Sequence, residues 1–236
     1  MENHNKKLLE WFKQRDIKVS QVELLHRAFV HSSYAYESPD ELESNERLEF
    51  LGDAVLDLIV SEYLFSSFPD AKEGEMTKWR AAVVCELTLA DVARKLGLQS
   101  FLLLGKGMQK TAKKHSDALL ADCMEALIGA LYIDQGYNAV QKLLDQHIHH
   151  YVRLAVEGKL KPDYKTALQE YTQSKYHIVP SYRVVEEKGP AHAREFVVEV
   201  FFNSEVWGIA EGNSKKEAEQ HAAKEAWQKL HLEELP

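Results

Sequence analysis

The chain has 236 residues, enough for one large domain or for a medium domain followed by a small one. Its 45% hydrophobic and 28% charged residues exclude a disordered or fibrous chain, and no run approaches the roughly 18 apolar residues of a membrane span. A net charge of −8 argues against nucleic-acid binding through bulk positive charge, the usual footprint. The start, Met1-Glu2-Asn3-His4-Asn5-Lys6-Lys7, lacks the apolar stretch and small-residue cleavage site of a secretion signal. Cys85 and Cys123, the two cysteines, form no CxxC pair. That excludes a disulfide scaffold or a cysteine zinc site and fits a reducing, cytoplasmic setting.

The first part of the chain reads as all-helical. Apolar residues recur at helical spacing over 43–65, through Leu48, Leu51, Val55, Leu58 and Ile59. Further helices are predicted over 87–96 and 116–133, the latter with Ser116 and Asp117 as N-cap candidates and Gly136 near its end. No strand signal precedes about residue 177. Residues 157–162, a charged segment bracketed by Gly158 and Pro162, read as a linker between a domain of residues 1–156 and one of residues 163–236. In the second domain a short helix is predicted over 164–174, then strands over 181–186, 194–202 and 205–210. The middle strand is the clearest, with Phe196, Val198, Val200 and Phe202 on one face. Asn203-Ser204 signals a tight turn, and the closing helix, 214–230, carries an apolar stripe of Ala218, Ala222, Ala226 and Leu230. The order α-β-β-β-α describes a small two-layer α+β domain.

Acidic residues stand where the surroundings are apolar. On a helix Glu46, Glu49 and Asp53 share one narrow sector, beside the run Ala54-Val55-Leu56-Asp57-Leu58-Ile59-Val60, which is too apolar for an exposed surface helix. Asp122 and Glu125 repeat the pattern within Leu119-Leu120-Ala121-Asp122-Cys123-Met124-Glu125-Ala126-Leu127-Ile128, with no lysine or arginine within a turn. Like charges on adjacent turns are destabilising, and a buried unpaired carboxylate is costly. Either basic residues from elsewhere in the chain pair with them, or a hard divalent cation does. Mg²⁺ suits a few carboxylates supplemented by water and a substrate phosphate. Other candidates are weaker. Gly105-Lys106-Gly107 lacks P-loop spacing, His147, His149 and His150 lack HExxH spacing, Cys123 sits on an apolar helix, and no serine lies in a G-x-S-x-G setting.

The segment from Asn45 to Leu56 resembles the signature of the ribonuclease III family, matching its N-E-R-L-E-F-L-G-D core without a gap. Leu120 to Leu127 resembles the family's second acidic motif, and Lys72-Glu73-Gly74-Glu75-Met76 a third, shorter one. The resemblance covers essentially the whole chain, as a helical nuclease domain followed by a double-stranded RNA-binding domain. It implies an endoribonuclease that cuts double-stranded RNA, leaving 5′-phosphate and 3′-hydroxyl ends. Precursors of ribosomal RNA and some messenger and transfer RNA precursors are the implied substrates. Glu49, Asp122 and Glu125 match positions that hold Mg²⁺, with Mn²⁺ able to substitute, and Asp53 and Glu125 match the positions most tied to catalysis. Glu46 and Glu73 match supporting acidic positions, and Phe50 an interface aromatic, which implies a homodimer.

In the second domain Thr166, Gln169 and Glu170 match the family's first-helix RNA contacts, and His192, in Gly189-Pro190-Ala191-His192, a loop that reaches a minor groove. Ser214, Lys215 and Lys216 match a helix start that contacts phosphates, where free N–H groups and two lysines favour anions. From residue 161 onward ten Lys or Arg face thirteen Asp or Glu, so binding must rest on a local basic strip and on shape. Such binding is expected to be weak and to fall with salt. A scaffold that binds RNA without cutting it, and a helical protein with structural carboxylates, are the competing readings. The intact acidic positions count against the first.

Overall fold

A computed structural model describes residues 2–38, 42–111, 117–160, 164–188 and 195–232, and in these the chain forms two compact units, Met1–Lys161 and Pro162–Pro236. Ser116, residues 161 and 162 of the expected linker, Asp163 and the loop with His192 lie outside the described residues, as does the side chain of Glu170. No helix among the described residues is long and apolar enough to cross a membrane.

The first unit is helical: α1 (Glu2–Lys13), α2 (Val22–Arg27), α3 (Ser32–Glu37), α4 (Glu46–Ser67), α5 (Glu73–Val84), α6 (Glu86–Leu96), α7 (Lys106–Thr111), α8 (Asp117–Gln135) and α9 (Tyr137–Val156). The helix expected from residue 43 starts three residues later for a physical reason. Arg27 pairs with Glu43 and its Nε donates to the Ser44 carbonyl at 3.0 Å, while the Asn45 N–H donates to the Val30 carbonyl at 2.8 Å. These ties hold residues 43–45 against the end of α2. One element the sequence does not signal is an isolated parallel bridge between Val30 and Leu103, ahead of any strand.

α8 is the central element. Leu120, Cys123, Met124, Ala126, Leu127, Ile128, Ala130 and Leu131 are all fully buried, which explains an apolar pattern that runs around the helix instead of along one stripe. Each buried leucine contributes roughly 1.5–3 kcal/mol through loss of water contact. α4 crosses α8 with no side chain between the backbones. A Cβ on Gly52 would lie 1.7 Å from the Glu125 carbonyl oxygen, and one on Gly129 2.2 Å from that of Leu48. Gly136, at φ +79°, then ends the helical run between α8 and α9.

The second unit has α10 (Tyr164–Tyr176), three strands β1 (Ser181–Lys188), β2 (Glu195–Phe202) and β3 (Glu205–Gly212), and α11 (Lys215–Leu232). The sheet is antiparallel in the order β1-β2-β3, with Val184 opposite Val198 and Val198 opposite Ala210. Asn203 and Ser204 both take positive φ, 46° and 71°, as a two-residue hairpin with the right twist requires. Val198, Val200, Phe202 and Trp207 pack against Ala218, Ala222, Ala226 and Leu230 of α11, the stripe expected from the sequence. α11 also closes the outer edge of β3. The Ile209 N–H donates to Glu225 at 3.1 Å, and His221 Nδ1 donates to the Glu211 carbonyl at 2.8 Å.

The helix crossing yields a contrast between two glycines. Gly52→Ala forces backbone apart and is expected to lower stability by at least about 1–3 kcal/mol in urea titrations. Gly74→Ala in α5 meets nothing within 4 Å and should be neutral or stabilising by up to about 1 kcal/mol. Equal effects at the two positions would mean that α4 and α8 do not approach this closely in solution.

Candidate active site

The close crossing of α4 and α8 sets three carboxylates against one another. Glu49 lies on α4, one turn before Gly52, while Asp122 and Glu125 lie on successive turns of α8. One oxygen of each falls within 4.8 Å of the others, and all three residues are half-buried. Among the described residues this is the one group of three or more side chains able to share a metal ion, and no lysine or arginine is paired with any of the three. Among the described residues, the pairing alternative is thus unmet at these three carboxylates.

The electrostatics follow from that packing. Burial, then Glu49 and Glu86, pushes the Asp122 carboxyl up to about 6. Burial, then Asp53, Asp122, Glu49 and Asp57, pushes Glu125 up to about 8. Glu49 is raised by burial, Glu46 and Asp53. Bringing such groups together without a cation is unfavourable, and a hard divalent ion offsets both the burial and the repulsion. The donors are all carboxylate oxygens, the set that Mg²⁺, Mn²⁺ and Ca²⁺ prefer.

The remaining acidic candidates stand around the three. Asp53 is exposed on α4, outside the cluster but close enough to raise both Glu49 and Glu125. Glu46, at the start of α4, accepts a hydrogen bond from Ser44 at 3.1 Å, and Glu73, at the start of α5, accepts one from Thr77 at 3.0 Å. Sequence spacing did not single out Glu86 or Asp57. Asp57 lies 4.0 Å from Arg80 of α5, the next helix, so spacing within α4 does not reveal that pair.

Several lesser candidates resolve into ordinary structure. The backbone N–H groups of Lys106 and Gly107 meet the Glu37 carboxylate at 2.8 and 3.5 Å, so the start of α7 is capped by the protein itself. His149 pairs with Asp145 at 3.1 Å and stacks on Tyr63, while burial lowers His147. Burial raises the Cys123 thiol, the opposite of what a nucleophile needs.

Beside the acidic face, α4 exposes an apolar strip. Phe50, Leu58 and Phe65 are 81%, 56% and 75% exposed and fall within a sector of about 80° on the helix. A groove of about 450 Å³ between α4 and α5 borders it, lined by Leu58, Leu64, Phe65, Met76 and Arg80 among others. In the second unit Thr166 and Gln169 are exposed on α10, and the side chain of Ser214 caps α11 by accepting from the Glu217 N–H at 3.1 Å. Glu217 reaches back to the Asn213 N–H at 2.8 Å, and the S-x-x-E spacing is the signal for this cap. Lys215 and Lys216 follow directly.

The Ribonuclease-III-like family pattern matches residues 21–152 and the double-stranded RNA binding motif matches residues 164–230. Ribonuclease 3 of Geobacillus sp. (strain WCH70) is 49% identical over 97% of this chain and 93% of its own length. Ribonuclease 3 of Pseudothermotoga lettingae is 44% identical over 94% and 95%. Among solved structures, the nuclease domain of ribonuclease III from Campylobacter jejuni, described with a region involved in dimer formation, is 35% identical. It superposes with a TM-score of 0.55, over 60% of this chain and 95% of that domain. With a nuclease pattern over more than half its length and an RNA-binding motif over most of the rest, the chain belongs to the ribonuclease III family, endoribonucleases specific for double-stranded RNA.

Proposed function

We propose that Glu49, Asp122 and Glu125 hold Mg²⁺, with Mn²⁺ able to replace it, and that Asp53 and Glu125 are the carboxylates most directly engaged in hydrolysis. The observation that supports this is the convergence of three half-buried carboxylates, without a basic partner among the described residues, whose proton affinity is raised. A divalent ion held there would supply Lewis-acid polarisation of a phosphoryl oxygen and would acidify bound water near neutral pH. Glu125, flanked by Asp122 and Glu49, would hold the ion beside the scissile phosphate. Asp53, open to solvent, can position the attacking water and accept its proton. Attack at phosphorus with departure of the 3′ oxygen leaves a 5′-phosphate and a 3′-hydroxyl. Thr166, Gln169, Ser214, Lys215 and Lys216 contact duplex RNA, and the sequence adds Glu170 and His192 as further contacts. Cytoplasmic precursors of ribosomal RNA, and some messenger and transfer RNA precursors, are the substrates.

The chain works as a homodimer through the exposed strip of α4. Phe50, Leu58 and Phe65 leave more apolar surface on one helix than a solitary domain needs, and the neighbouring groove can receive an aromatic ring. Phe50→Asp is expected to shift sedimentation from dimer to monomer at micromolar concentration. A Phe50→Asp protein that remains dimeric would place the interface elsewhere.

Glu125→Gln separates chemistry from binding. It keeps the size of the side chain but removes one anionic ligand, and a single well-placed interaction of this kind is commonly worth about 10²–10³ in rate. Cleavage of duplex RNA in Mg²⁺ should fall by that order, while gel-shift affinity in Ca²⁺ stays near parental. Near-parental cleavage would remove Glu125 from the mechanism.

The raised carboxyls also set a pH dependence. Asp122 moves from 3.8 to about 6 and Glu125 from 4.5 to about 8, so the folded, metal-free protein binds protons more tightly than the unfolded chain. The stability they confer is therefore complete below about pH 4 and is lost as pH rises through 6 and then 8. Without metal, the melting temperature should decline across this window, and less steeply in Glu125→Gln. Added Mg²⁺ should raise it most at the alkaline end, where the ligands are ionised. A metal-free decline that is the same in parent and variant would contradict the assignment.

A further inference from the structure

Lys215 does not wait unoccupied at the start of α11. Its Nζ lies 3.4 Å from Glu187 Oε1 near the end of β1, with the two side chains 59% and 40% exposed. The same Nζ stands 5.4 Å from the ring centroid of Phe196, and Phe196 is the β2 residue directly opposite Glu187. The ammonium group is therefore held by two neighbours across one strand pair, a ring below it and a carboxylate beside it.

The position favours a carboxylate beside this lysine, in addition to Glu217 in the same first turn. Lys215 is the first residue of α11, where the helix dipole is positive and a cation is unfavourable. Glu187 offsets that placement in the absence of RNA. A phosphate arriving at the same helix start would satisfy the dipole and the ammonium together, and the Glu187 carboxylate would then be a like charge beside it. The adjacent Glu186 makes a different pair, 3.5 Å from Lys188, which also meets Glu211 at 2.8 Å.

We propose that Glu187 is a resident counter-ion that competes with the RNA phosphate for Lys215, and so sets the affinity and salt dependence of duplex binding. The proposal rests on the reading of Lys215 as a phosphate contact. It gives a local cause for the weak binding expected from the net acidity of the domain. Phosphate and carboxylate exchange on one lysine, so part of the charge that RNA gains at this contact has already been neutralised within the protein.

The test uses the full chain and a short duplex RNA in Ca²⁺, with affinity measured by fluorescence anisotropy between about 50 and 200 mM salt. Glu187→Gln is expected to bind about two- to fivefold more tightly at the low end, the range of an exposed ion pair, with the gain shrinking as salt rises. Glu186→Gln should leave affinity within error of the parent, and Lys215→Gln should weaken binding. In the Lys215→Gln background, Glu187→Gln should give no gain. A silent Glu187→Gln beside a weakened Lys215→Gln would overturn the competition alone. A gain that persists without Lys215 would overturn it too, because Glu187 would then act by general repulsion. A silent Lys215→Gln would remove the phosphate contact itself, and the proposal with it.

Discussion

Where α4 and α8 cross, the Glu125 carbonyl occupies the place a Cβ on residue 52 would need, and the Leu48 carbonyl does the same at residue 129. Helices with side chains between them usually stand 8–10 Å apart, roughly, at their axes. A pair of facing glycines brings two backbones closer, and the side chains flanking them inherit that closeness. Glu49 is three residues from Gly52, and Asp122 and Glu125 precede Gly129 on the facing helix, so the contact also fixes how far apart the carboxylates stand. Placing the acids on rigid helices instead of on loops gives the site its precision.

That arrangement works against stability, and the core of the domain compensates. Burial and mutual repulsion lift Asp122 and Glu125 together, which is the signature of groups held where their charged forms are disfavoured. The same helix α8 that carries them is the most deeply buried of the unit, with Leu120, Met124, Leu127 and Ile128 fully enclosed. Strong packing on one side of α8 allows unfavourable charge on the other, a common relation between stability and function.

Much of this architecture was legible in the residues. The helices richest in apolar residues, α4, α6 and α8, appear within a few residues of their expected bounds, because burial on α8 and against it dictates the pattern. The three strands and the Asn203-Ser204 turn were legible for a similar reason, since alternation and positive φ leave few options. The short helices α2 and α3 were not, because six residues carry too little periodicity to register. The acids of the site were visible as charges in apolar surroundings, yet Glu86 and Asp57 were not singled out. Their influence depends on the folding of α6 and α4 around α8, which spacing along the chain does not encode. The Glu187–Lys215 pair is hidden for the same reason, as it joins two elements separated by two strands.

Strand β3 ends its sheet, yet its outward groups at Ile209 and Glu211 are taken by Glu225 and His221 of α11. On the opposite margin, β1 carries an irregularity between Val184 and Glu186 that breaks the regular ladder. An open strand margin is a template on which another chain can add its own strand, and both margins here are blunted. Many copies of an RNA-binding domain can crowd along one long duplex, at local concentrations far above those in free solution. Copies meeting on such a duplex would find blunted strand margins, which disfavours backbone pairing between them.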